Sequence, residues 1–228
     1  MKFKTPINKT VFLLMAALLP LLSFGKGKET PDTISARRAF ADLTDSSLDL
    51  LSKNTRLDML DYLDVDSIYT ATNSLGGQSR LLKAAPGYLS GRITNVSTME
   101  FKILKMKDGR EIVMTVYTAG EPGGVEESEI NFYDAALRQL PLNKYFPDAR
   151  LSWFFDIPKG YSTSMKEIEE LLPFYTIVYE TNPDNDTVKA RLALGDILTI
   201  EDMKLIEMFI KPEVVFNWDG KKYTMQKQ

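Results

Sequence analysis

The sequence predicts an α+β fold: an antiparallel β-sheet with helices packed mainly on one face. Three observations carry that expectation. From Gln78 to Tyr133 apolar and polar residues alternate with period two, and Pro86-Gly87 and Asp108-Gly109 punctuate the runs as turns. Helical spacing occurs before and after this region without alternating with its strands, which argues against a parallel βαβ arrangement. The chain has 228 residues and no cysteine, so its size must supply a core that stands without disulfides.

The stretch Met99 to Thr118 (MEFKILKMKDGREIVMTVYT) is the centre of the predicted sheet. Asp108-Gly109 suits a two-residue hairpin turn, because both residue types tolerate positive φ. That turn pairs Lys107 with Arg110, Ile103 with Met114 and Phe101 with Val116. Phe101, Ile103, Ile112, Met114 and Val116 then form the buried face. Glu100, Lys102 and Thr115 fall on the other, with Leu104, Val113 and Tyr117 as partial cover.

At the N-terminus, Lys2, Lys4 and Lys9 precede the apolar run Val11 to Phe24, and Ser23 and Gly25 are small residues two apart. A basic start, a short apolar stretch and small residues predict a secretory signal peptide over residues 1–25. Pro20 interrupts the run, which is shorter than the about 20 apolar residues a membrane span requires. No cysteine follows for lipid attachment. The expected product is soluble and exported, periplasmic or extracellular, with no membrane span after cleavage. Cleavage leaves 203 of the 228 residues and removes three lysines and no acid, taking the formal charge from −3 to −6. That balance offers no electrostatic basis for holding nucleic acid.

Residues 26–33 form a polar tether without periodicity, ahead of one α+β domain over 34–228, which the length allows to be built as lobes 34–158 and 159–228. Ser35 is a fair cap for a helix carrying Ala36, Ala39, Phe40 and Leu43 on one stripe. Arg56 to Val65 is a second helix, with Leu57, Leu60 and Leu63 expected to face inward and Asp58 and Asp61 outward. Strands follow at 79–83, 88–95, the two hairpin arms and 128–133. Asp134 to Leu140 reads as a helical turn stopped by Pro141, and 143–161 is aromatic and broken by proline. Ser164 with Glu167 forms a capping box for a short helix ending at Pro173. Strands at 174–181 and 187–194 flank a polar loop at 182–186. Thr199 caps a helix with Met203, Ile206, Phe209 and Ile210 on one side, and Asp219-Gly220 closes a last hairpin.

Ala41 to Leu63 (ADLTDSSLDLLSKNTRLDMLDYL), continued by Asn73-Ser74-Leu75-Gly76-Gly77, resembles an exported family of Bacteroidales that carries a domain-of-unknown-function label. The matching residues are Asp45, Ser46 and Leu48, then Leu50, Leu51 and Ser52, then Asn54, Arg56, Leu57, Asp58 and Met59. Thr44 stands where the family pattern has proline. Residues 97–104 and 128–133 fit the same pattern. The resemblance implies export and brings no activity with it.

The chemistry is bounded by what is missing. The sequence holds no histidine and no cysteine, which removes Ser-His-Asp and Cys-His nucleophile systems and imidazole or thiolate zinc sites. Its glycine pairs lack the Gly-Lys-Ser/Thr of a phosphate loop. Asp58, Asp61, Asp64 and Asp66 read either as hard oxygen ligands for Ca²⁺ or as a solvated helix face. Ser67-Ile68-Tyr69 stands where a calcium loop would supply a third ligand and a glycine, which favours the solvated face. No cofactor or metal is expected.

Two functional readings follow. The first is an exported, non-catalytic binding or interaction module for an envelope protein or glycan, with Trp153 and Tyr161 as the aromatic contacts. The second is a hydrolase acting on cell-envelope or dietary glycan through two carboxylates. Glu126, Glu127, Glu129, Asp134 and Asp156 are available to it, yet nothing in the sequence singles out a pair, so no catalytic residue is assigned. Trp218, beside the second Asp-Gly turn, is expected to cap the sheet end.

Overall fold

Gly109 takes φ +89° while Asp108 keeps a negative φ, and this one difference sets the register of the central hairpin. A two-residue turn of either hairpin type would need positive φ at Asp108, its first central residue. Asp108 instead accepts hydrogen bonds from Arg110 N (3.1 Å) and Arg110 Nε (3.0 Å). Met106 N donates to Arg110 O at 2.8 Å, and Lys107-Asp108-Gly109 becomes a three-residue loop. Phe101 therefore pairs with Thr115 and Ile103 with Val113, one residue away from the expected Val116 and Met114. A slip of one reassigns faces. Phe101, Ile103 and Val113 look one way; Leu104, Ile112, Met114 and Val116 look the other.

The structure, a computed structural model, describes residues 33–65, 69–195 and 197–226. The expected signal peptide, most of the tether and Asp66 lie outside the described residues. Helices α1 (Ala36–Asp42) and α2 (Lys53–Leu63) come first. A seven-stranded meander follows, each strand pairing with the next: β1 (Ala71–Thr72), β2 (Gln78–Ala85), β3 (Tyr88–Thr94), β4 (Ser97–Lys105), β5 (Glu111–Gly120), β6 (Glu126–Asp134) and β7 (Gln139–Leu140). After α3 (Leu142–Tyr145) and α4 (Met165–Leu171) come β8 (Ile177–Thr181) and β9 (Thr187–Leu192). Helix α5 (Ile200–Ile206) leads to β10 (Val214–Trp218) and β11 (Tyr223–Met225), which complete a four-stranded sheet in the order β11-β10-β9-β8. Both sheets are antiparallel, and the α+β class expected from the sequence holds.

The large sheet is covered on both faces. Helices α1 and α2 pack on one, where the Phe40 and Phe101 rings meet edge to face at 5.7 Å. The small sheet and the segment 146–154 cover the other, gathering Val188, Phe216, Phe146 and Phe154 into one buried cluster with Met114, Val116, Ile130 and Phe132. The face expected to have partial cover is thus buried more deeply, with Lys102, Leu104, Val113 and Thr115 buried and Glu100 and Tyr117 partly so. Ile112 to Val116 is buried at five consecutive positions, as in any strand closed on both sides.

The seam between the sheets ties down a strand edge that would otherwise stay unpaired. Tyr179 N donates to Ser128 Oγ (3.1 Å), and Thr181 N donates to Glu100 Oε2 (2.8 Å). At the far side Trp218 Nε1 donates to Lys105 O at 2.9 Å, so the expected cap on the small sheet also grips the large one.

Two local expectations are corrected. Helix α2 does not bury Leu57, which is 40% exposed; Arg56, Met59 and Leu60 face inward instead. Three-residue spacing drifts around a helix of 3.6 residues per turn, and a charged side chain at position 56 hides the true stripe. Arg56 is buried because its guanidinium donates to Phe40 O (2.8 Å) and Leu43 O (2.7 Å), carbonyls released at the end of α1. Residues 134–140 are not helical either. Asp134 Oδ1 accepts from Ala136 N (2.9 Å) and Arg138 N (3.0 Å), Leu137 turns with φ +61°, and Gln139-Leu140 return as β7. Pro141, expected to stop a helix, precedes the first turn of α3.

Candidate functional site

The residues that carried the family resemblance have structural work. Asp45 caps a one-turn helix through Ser47 N (2.9 Å) and accepts from the Tyr133 hydroxyl. Asn73 Nδ2 donates to Ile93 O (3.0 Å), while its Oδ1 accepts from Leu75 N (3.1 Å) and Gly77 N (3.0 Å), closing the 73–77 loop. The acidic run on α2 is a solvated face: Asp58 and Asp61 are exposed, and Asp64 is held by Arg37 at 2.6 Å. No group of three acids among the described residues is placed to share a metal ion.

The carboxylates available to a hydrolase are largely engaged. Glu126 is buried against Arg191 at 2.5 Å, Asp134 pairs with Arg138 at 2.7 Å, and Glu129 accepts from Asn131 at 2.8 Å. A further acid, Glu100, lies in the seam under the small sheet. Tyr88 OH donates to its Oε1 at 2.7 Å, and beside it the buried Lys102 donates to Asn182 O (3.2 Å) and pairs with Asp186 (3.4 Å). Burial, outweighing the hydrogen bonds from Tyr88 and Thr181, pushes the Glu100 carboxyl above its usual range, and burial likewise raises the Tyr88 phenol.

That shift has a sign that can be measured. A folded-state value above the ordinary 4.5 means folding favours the protonated acid. The contribution is fully present below 4.5 and is lost as pH rises through the folded-state value. Glu100→Gln is expected to flatten this dependence, so its urea midpoint gains on the parent's as the buffer moves from acid to neutral. Parallel curves for the two proteins would refute it.

Of the two aromatic candidates, Trp153 is half-buried, its ring 5.8 Å from that of Phe216, and packs against the inter-sheet core. Tyr161 is 51% exposed and stands edge-on to Phe209 at 5.1 Å. Tyr161 borders Ser162 and Thr163, which line a cleft of about 380 Å³ with Glu167, Glu170 and Leu171 on one side and Leu205 and Ile206 on the other. This groove separates α4 from α5.

The groove follows from two short helices that each bury little. In α4 the capping box holds, Glu167 accepting from Ser164 N at 2.7 Å, and that donor keeps its carboxyl below the usual range. In α5, capped by Thr199, Ile206 turns inward and Phe209 follows in the next turn. Outside, Leu205 is 58% and Met208 64% exposed. Residues 165–171 and 200–209 together carry six carboxylates against two lysines. Sequence reasoning had assigned the inner side of α5 and overlooked the outer one, although the same periodicity turns Leu205 and Met208 outward.

A family described as a protein of unknown function (DUF3256) matches residues 32–223. The chain belongs to the DUF3256 family. The match spans the helices, the α4–α5 groove and nearly all of both sheets. Among solved structures, a domain of an uncharacterized protein from Porphyromonas gingivalis W83 is similar, with a TM-score of 0.70 at 22% identity. The alignment covers 86% of this chain and 100% of that one, a likeness of fold. No curated protein matches the chain. No helix among the described residues of this DUF3256 protein is long and apolar enough to cross a membrane.

Proposed function

We propose that this DUF3256 protein is an exported, non-catalytic interaction module that holds a basic, amphipathic segment of an envelope protein in the groove between α4 and α5. Export rests on the N-terminal sequence, with Lys2, Lys4 and Lys9 ahead of an apolar run and a cleavage site after Gly25. The observation that carries the contact reading is the outward-facing pair Leu205 and Met208 beside an acidic, apolar-floored cleft. Large apolar side chains left in water beside a polar rim mark protein contact surfaces. The carboxylates of α4 and α5 select a cationic partner and steer its approach. A glycan would call for an aromatic platform, and this groove offers Tyr161 alone at its edge.

The test is a fluorescence titration with an amphipathic Lys/Leu peptide and with a Glu/Leu peptide of the same pattern. The cationic peptide should bind and the acidic one should not. Leu205→Asn with Met208→Asn should weaken binding about tenfold, roughly 1.4 kcal/mol, without changing the melting temperature. Equal binding of both peptides, or an unaffected double variant, would discard the groove. Sequencing the N-terminus of the exported protein checks cleavage separately.

A further inference from the structure

Four lysines from three segments gather around a second cleft, on a chain whose formal charge is negative. The cleft has a volume of about 360 Å³ and shares no lining residue with the α4–α5 groove. Lys107 comes from the β4–β5 loop, Lys144 from α3, and Lys221 and Lys222 from the β10–β11 loop. The two hairpin tips are locked together, since Lys107 N donates to Gly220 O at 3.0 Å. Gly220 has φ +85°, and a Cβ there would sit 2.8 Å from Lys107 Cγ, so the stem of Lys107 lies across the second tip.

The two carboxylates of this cleft have partners of their own. Asp108 is held by Arg110 at 2.7 Å. Asp219 accepts from Lys221 N (2.7 Å) and Lys222 N (2.9 Å), and these backbone donors hold its carboxyl below the usual range. Among the described residues no ion pair engages Lys107, Lys144, Lys221 or Lys222; Lys144 lies over the Tyr145 ring at 5.3 Å. Four exposed lysines thus line one space across two hydrogen-bonded hairpin tips, and the nearby Asp219 carboxylate offsets only part of their charge, through Lys107 and Lys222.

We infer that this cleft binds a phosphate group carried on an organic molecule. Lysine binds phosphate as a compact point charge, and several lysines can share one group. A phosphomonoester carries a charge of about −1.5 to −2 at neutral pH, and so answers several ammonium groups at once where a carboxylate answers one. Met106, the Tyr145 ring and the lysine stems supply apolar lining for the organic part. A soluble phosphate ester and a phosphomonoester lipid headgroup present the same chemistry.

The purified protein, titrated with glucose 6-phosphate and followed by backbone amide NMR, tests the site, with glucose as control. Glucose 6-phosphate should shift the amides of Lys107, Gly220 and Lys221, glucose should not, and added salt should weaken the effect. Lys144→Gln, Lys221→Gln and Lys222→Gln combined should weaken binding about tenfold or more while leaving the melting temperature unchanged. Phosphatidylcholine vesicles with and without phosphatidic acid separate the two sources: tighter binding to the phosphatidic acid vesicles than to the sugar phosphate assigns a headgroup, and the reverse assigns a soluble ester. No response to either phosphate, the same response to glucose, or full binding by the triple variant would overturn the inference. Binding of the Lys/Leu peptide at the other groove is unaffected by any of these outcomes.

Discussion

Phe101→Ala is expected to destabilise the protein by about 4 kcal/mol, because the ring sits in a site with no freedom to collapse. Phe101 is 1% exposed in β4, paired with Thr115 and pressed edge-on against Phe40 of α1. Truncation removes the transfer energy of the ring, its aromatic contact and the packing of α1 on the sheet, and leaves a cavity lined by neighbours fixed on several elements. Urea unfolding measures it. A loss below about 1.5 kcal/mol would mean that α1 closes over the gap, and the helical layer would then be looser than the packing implies.

Arg56→Ala is the second large effect, expected at about 3 kcal/mol, for a different reason. The guanidinium is a buried cation whose hydrogen bonds go to main-chain carbonyls, Phe40 O at 2.8 Å and Leu43 O at 2.7 Å. Removing it strands two acceptors at the end of α1 in a place that water reaches poorly. Arg56→Lys should recover part of the loss, since both carbonyls accept from the single nitrogen Nη1 and an ammonium carries enough donors for both but sits on a shorter side chain. Near-equal stability of Arg56→Ala and the parent in urea would show that the carbonyls find water and that the arginine is dispensable.

These two positions also show where reading the sequence succeeded and where it could not. Phe101 was legible as buried because its strand alternates, yet its partner was not. Asp108-Gly109 is compatible with a two-residue and a three-residue turn, and the choice depends on whether Asp108 takes positive φ or hands that conformation to Gly109 alone. The caps at Ser35, Ser164 and Thr199 were visible because each is a local exchange between a side chain and a nearby N–H. The burial of Arg56 was not legible because it is set by carbonyls 13 and 16 residues away, which no local period records.

The candidate sites divide the same way. Tyr161 was named from its aromatic type and its loop surroundings, and the structure leaves it half in solvent beside the α4–α5 groove. The groove itself needs two helices separated by β8 and β9, and the lysine cleft needs loops near residues 107 and 220 to be hydrogen-bonded to each other. Both are products of long-range closure.

By itself the sequence determined the approximate place of the main strands, the helix caps at Ser35, Ser164 and Thr199, the α+β class and the absence of imidazole and thiol chemistry, because each depends on residue type or on neighbours a few positions apart. Only the tertiary structure decided that the central sheet is buried on both faces, that Arg56 serves a helix end, and that four lysines meet at one junction. Those depend on which surfaces come together, and the free energy of that choice is spread over contacts between residues far apart in the chain.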